Sequence, residues 1–387
     1  MGDVEPQGVT IKVVGDIRQL PADQWNACAG NNNPFVQHAF LAALEESGSA
    51  SSGTGWAPYH LIVEDEAGIT ACAPMYVKSH SQGEYVFDHG WAQAFERAGG
   101  QYYPKLLIAV PFTPATGPRL LVRRDADREK MEQALISGAI EVARKHDISS
   151  ININFPTERE WERLGEANFL KRTGEQFHWL NNGYGSFGDF LAALSSRKRK
   201  AIKKERLGAV DSAIEIEHLS GNDLREEHWD AFFGFYMDTG ARKWGHPYLT
   251  RPFFSLISDT MGDRTLLVMA KRDGQYIAGA LNFIGEDTLY GRYWGCLEDH
   301  AFLHFEVCYY QAIDYAIAHG LARVEAGAQG QHKLSRGYLP IHTYSAHWIS
   351  DPGFRRAVDH YLSQERAAVD EEIAALDRYS PFKQRAD

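Results

Sequence analysis

Apolar positions recur every three to four residues in seven long stretches, and each stretch predicts a helix. They cover residues 35–46 (Phe35, Phe40, Leu41, Leu44), 125–145 (Met131, Leu135, Ala139, Val142), 186–208, 226–239, 251–261, 305–318 and 352–378. In 305–318 the periodic set is Val307, Tyr310, Ile313, Ala316 and Ile317, and Gly320 closes the helix as a residue tolerant of positive φ. The 186–208 stretch is interrupted near Ser195-Ser196. A period of two marks strands instead, at 9–14, 151–155 and 341–349. Hairpins are predicted across residues 65–68 and, with a direct turn signal, across Asp273-Gly274. Extended runs are expected at 85–91, 289–296 and 322–328.

The elements come twice in the same order. Residues 60–77 correspond to 266–284, and 149–155 to 322–328. Two domains of mixed α/β type are expected, over 1–180 and 181–387, with the boundary at Asn181-Asn182-Gly183 and 352–378 closing the second. A chain of 387 residues has the length for two domains.

Composition narrows the function classes. A net charge of −11 argues against general binding to polyanions such as DNA. The four cysteines form no CxxC pair and no zinc-type array with histidine, which predicts a reducing, cytoplasmic compartment without a metal centre. No run approaches the length of a membrane-spanning helix, and residues 1–10 lack a secretory pattern. GxSxG, P-loop and GxGxxG motifs are absent.

Chemistry concentrates in 288–337. A strand, a helix and a second strand lead there into a polar glycine turn, Gln329-Gly330-Gln331-His332-Lys333, followed by Arg336. Such crossovers deliver ligand groups at strand ends. Moving an acyl group to an amine requires a base for the amine, donors for the oxyanion and cations for a phosphate-bearing carrier. Gln329, Gly330, Lys333 and Arg336 are candidates for donor binding, a solvated turn being the other reading. His304, Glu306 and His332 are candidate catalytic groups; Glu306 could equally cap a helix. Arg292 and Trp294 would share one strand face beside the donor, or serve the core and the edge. Seven basic residues in ten, 197–206, could take phosphate, tRNA or anionic lipid, with Arg199 the candidate for the donor; a solvated face is the alternative. In the first half, Asp88, His89, Trp91, Tyr103, Lys105 and Thr116 form the candidate acceptor side, or a packed structural loop. His178 reads as a core histidine.

Several long stretches resemble the FemAB-like group of bacterial N-acyltransferases, linked to peptidoglycan biosynthesis or recognition. They include NPFVQHAFLAALEESG, FDHGWAQAF, YYPKLLIAVPFTPATGPRLL, QFHWLNNGYGSFGDFLAALSSRKRKAIKKER and EAGAQGQHKLSRGYLP. The resemblance implies two tandem GNAT-like domains, and it places Glu325, Gly330, Lys333 and Arg336 in the order of the family's motif. It further implies an acyl thioester donor, carried by CoA or acyl carrier protein, with no bound cofactor. The acceptor would be a primary amine of an envelope precursor or of a long-chain amino lipid such as a sphingoid base, with peripheral contact at the inner membrane face. Relatives with this double fold also use aminoacyl-tRNA, which keeps tRNA as the alternative donor, and a non-catalytic recognition module is the reading from another class.

Overall fold

The computed structural model describes residues 9–210, 213–243, 247–327 and 330–383, the side chains of 241–243 excepted. The chain forms two compact units. The first joins Met1–Gly174 to Thr343–Ala367, and the second joins Glu175–His342 to Ala368–Asp387. This division differs from the expected one at 180/181. The strand Leu170–Leu180 passes from one unit to the other, and the long helix Pro352–Asp377 is shared between them rather than closing the second. Sequence periodicity marks such elements but carries no information on which core they join.

In the first unit, Thr10–Val14, His60–Asp65, Gly68–Ala73 and Leu121–Val122 make an antiparallel four-stranded sheet in that order. A further set runs Trp56–Pro58, Met75–Lys78, Lys105–Ile108 and Ser150–Asn154. Residues 345–349 then pair antiparallel with Ser150–Asn154. The helix Arg128–Lys145 starts at Asp127, whose carboxylate accepts from the Lys130 amide. It lays Met131, Leu135, Ile136 and Ala139 on Leu61, Val63, Ala71 and Ile151 in one apolar core. It also supplies the crossover from Lys105–Ile108 to the parallel strand Ser150–Asn154.

The second unit repeats this order. Its sheet runs Ile214–Leu219, Thr265–Arg272, Gln275–Ile284, Thr288–Cys296 and Arg323–Glu325, then residues 178–180. All contacts are antiparallel except Thr288–Cys296 with Arg323–Glu325, which are parallel and joined through the helical stretch Leu303–Ala318. Val307, Tyr310, Ile313 and Ala316 of the predicted periodic set lie in its core with Trp179, Val268 and Val324, and Ile317 packs partly buried against it. Residues 186–208 form two helices, Phe187–Ala193 and Ser196–Val210, broken where the serines stand. The extended run expected at 85–91 is absent: a helix, His89–Arg97, begins there.

Candidate functional site

The second unit's site begins with a mismatch in strand length. Thr288–Cys296 and Arg323–Glu325 run together only from Thr288↔Arg323 to Tyr290↔Glu325; the shorter strand then stops while the longer continues to Cys296. On the other edge, Asn282 faces Gly291 and Leu281 faces Tyr293, so Arg292 is an extra residue in the ladder. A bulge of this kind bends its strand and turns local backbone groups away from their ladder partners. Both irregularities fall at residues 291–293 and open a wedge in the sheet.

The facing helix is irregular at the same level. Between Leu303–Phe305 and Gln311–Ala318 the turn widens over Glu306–Tyr310, where the Gln311 amide donates to the Glu306 carbonyl. Wide turns of this type concentrate at functional sites. His304, Cys308 and Tyr309 all line the resulting cleft of about 90 Å³, with Asn282, Arg292, Tyr293, Trp294 and Ala326. The His304 ring lies 5.2 Å from Trp294, 5.4 Å from Tyr309 and 6.2 Å from His332, between ring centres. The Tyr309 hydroxyl and His332 Nε2 are 2.9 Å apart.

The glycine turn folds as a short helix, Gln331–Arg336, which sets Lys333 and Arg336 three residues apart on successive turns. Gly330 precedes it with φ +115, and a β-carbon there would stand 2.8 Å from His332 Nδ1, so glycine is what the position admits. Lys333 is 2% exposed and donates to the Gly327 carbonyl at 2.8 Å. Burial lowers its pKa to about 7; the Cys308 sulfur opposes that shift and the Arg292 charge adds to it. A lysine poised near neutrality can hold or release a proton under working conditions. Gln329 lies outside the described residues.

Other predicted residues take structural places. Arg336 donates to the His332 carbonyl at 2.8 Å and to Glu205 at 3.0 Å, and its guanidinium lies 3.4 Å from the Phe305 ring centre. It therefore braces the loop. Glu306 is buried, with Arg206 at 2.8 and 3.1 Å and Gln311 at 2.7 Å, so its carboxylate is committed to helix packing. Arg199 is half-buried on Ser196–Val210 and is not among the residues lining the cleft. The neighbouring Lys198 ties that helix to the loop through Ser335, at 2.9 Å. His178 is buried, and desolvation lowers its pKa to about 3, a neutral core histidine.

The six first-unit candidates split up. Lys105, fully buried, is held by Asp88, by Glu84 at 2.8 Å and by Ser81 at 2.7 Å. Tyr103 joins through Ser81 and Tyr102 through Asp88, each at 2.7 Å. Burial raises Glu84 to about 7 and lowers the neighbouring Lys78 to about 7. These groups pair with one another in the interior, with one oxygen each of Glu84 and Asp88 left without a hydrogen-bond partner. Trp91 packs edge-on against His347 at 4.9 Å, His89 stacks on Phe87, and the Thr116 carbonyl accepts from Asn33.

Sequence reasoning missed Tyr293, Cys308, Tyr309 and Asn282. The wide turn carries no sequence signal, and the pairing of Tyr309 with His332 spans 23 positions. Among the described residues, no group of three or more His, Cys, Asp or Glu is placed to hold a metal ion.

A family model, FemAB_like, described as peptidoglycan biosynthesis/recognition, matches residues 16–384. Among solved structures, FemX aligns with a TM-score of 0.54 at 13% identity, covering 90% of this chain and 100% of that one. A conserved protein of unknown function from Bacteroides thetaiotaomicron aligns with 0.54 at 10% identity, over 88% and 100%. The C-terminal domain of a putative lysylphosphatidylglycerol synthetase from Agrobacterium fabrum aligns with 0.52 at 10% identity, over 88% and 95%. At these identities the likeness establishes the fold, mixed α/β and tandem GNAT-like. No curated protein matches.

Proposed function

The chain belongs to the FemAB_like family, and on that premise we propose that it is an N-acyltransferase working at the wedge of its second unit. The observation that carries this reading is the coincidence of three features at one place: the parted strands, the bulge at Arg292 and the wide helical turn that brings His304 to the cleft. The donor is an acyl thioester of CoA or acyl carrier protein. Its carbonyl lies at the bulge beside Arg292. Trp294 and Tyr293 wall the acyl side.

The acceptor is a primary amine of an envelope precursor, for which the family description gives the support, or of a long-chain amino lipid. Its nitrogen attacks the thioester carbon and loses a proton to His304. Lys333, whose Nζ donates to the Gly327 carbonyl one residue beyond the cleft-lining Ala326, favours the oxyanion in its protonated form. The C–S bond then breaks, the amide forms, and the thiolate leaves with the carrier.

The test is release of free thiol on mixing the protein with acetyl-CoA, long-chain acyl-CoA or acyl carrier protein thioesters, and with peptidoglycan precursors or sphingoid bases as acceptors. Amine-dependent release that falls about 10²- to 10⁴-fold in His304→Ala is the expected result. Acceptor modification with charged tRNA alone would move the donor to aminoacyl-tRNA. Silence with every donor, alongside tight binding of an envelope fragment, would make the protein a recognition module.

A further inference from the structure

The exposed face of the helix Ser196–Val210 does not line the cleft, and it is built unlike the rest of an acidic protein. With 100° per residue, Arg197, Lys200, Lys203, Lys204, Leu207 and Val210 fall within an arc of about 140°. The four basic residues are all exposed. Leu207 is 72% exposed and Val210 43%. On the opposite side Ile202 and Ala209 are buried and anchor the helix. Its single acidic residue, Glu205, is turned inward to Arg336 and Tyr310. Arg206 is likewise turned inward, to Glu306 and Asp314.

What remains outside is a leucine surrounded by cations. Water gives that leucine nothing, and a bare phosphate surface, such as that of a nucleic acid, gives it nothing either. A bilayer with anionic headgroups rewards both parts. The lysines meet headgroup phosphates while their methylene stems extend, and the leucine enters the acyl boundary between them.

We propose that this face docks the protein on an anionic lipid surface, with Leu207 as the inserted residue and Arg197, Lys200, Lys203 and Lys204 as the headgroup contacts. The net charge of −11 makes the interaction directional, because the rest of the surface is on balance repelled. The proposal is independent of the transfer reaction and is read without turnover.

Sedimentation of the full chain with vesicles tests it. Phosphatidylcholine vesicles containing phosphatidylglycerol should bind the protein, and phosphatidylcholine alone should not. Raising salt should release it. Each lysine reversed should weaken binding about fivefold or more, so Lys200→Glu, Lys203→Glu and Lys204→Glu together should abolish it. Leu207→Gln, which leaves every charge in place, should weaken it about tenfold. All four positions are exposed, and unchanged thermal unfolding of the variants excludes misfolding as the cause. The proposal is overturned if anionic vesicles fail to bind, or if binding is indifferent to Leu207→Gln. Single-stranded RNA bound through the same lysines, with vesicles ignored, would assign the face to nucleic acid instead.

Discussion

Lys333 shows how one buried side chain links stability to chemistry. Its pKa is 10.5 in the free residue and about 7 in the fold. Below about 7 both states carry the proton and the native state bears the full cost of burying it; between the two values the native site gives the proton up, and that cost is progressively lifted. Stability should therefore rise as pH climbs from about 7 towards 10.5, and Lys333→Met should flatten the rise; urea unfolding across that interval measures it. Lys78 contributes with the same sign, since its folded value is also about 7. Gly330 makes a different prediction. Alanine there must displace His332 from its 2.9 Å contact with Tyr309. Gly330→Ala should lower turnover more than it lowers Tm, and comparing the two readouts checks this. The chemical types at 329–336 were legible in the sequence, but the division of labour was not. Lys333 and Arg336 are both basic, and only their neighbours make one a buried, near-neutral amine and the other a brace.

At the level of elements, irregularities make the site, and they rest on close packing around them. Gly295 lies in the strand that carries the bulge. A β-carbon there would meet the backbone carbonyl of Phe235, its own β-carbon only 2.7 Å away. Backbone cannot yield as a side chain can, so Gly295→Ala should cost about 3 kcal/mol by chemical denaturation. Glu306 is held in the helix by Arg206 and Gln311. Glu306→Gln weakens the Arg206 pairing and should cost about 2 kcal/mol, discounted because Arg206 is partly exposed. Any loss of rate should follow the unfolded fraction, whereas His304→Ala should lose rate with the fold intact. Hairpins, the long helices and the break at Ser195-Ser196 were readable because period and turn chemistry are local. The bulge at Arg292 and the wide turn at 306–310 were not, because they answer to partners across the sheet. The buried pairing of Asp88 with Lys105 was unreadable for the same reason, since the two lie 17 positions apart.

For the whole molecule, the shared segments matter most. Residues 345–349 complete the pairing of Ser150–Asn154, the Trp161 indole donates to the Ser345 carbonyl at 3.1 Å, and His347 meets Asn152 at 2.6 Å. Arg172 forms an ion pair with Glu365 at 2.7 Å. A fragment ending at Gly174 lacks all of these and should fail to give a cooperative unfolding transition under conditions where the full chain does. The twofold order of elements was visible along the sequence. The return of 343–367 to the first unit was not, since nothing local in a strand or helix names a partner almost two hundred positions away.

That return has a consequence for how the chain is made. A ribosome delivers residues from the N-terminus onward, so the strand Ser150–Asn154 emerges long before its neighbour at 345–349. Until then the first unit presents an open edge to its surroundings. The second unit waits as well, for residues 368–387. Both cores are finished only once residues 343–387 have been made, so a nascent chain halted at residue 342 holds neither complete. Completion of both units is thus tied to the synthesis of residues 343–387, and the edge left open in the meantime is the place where a chaperone, or a second nascent chain, would first find purchase.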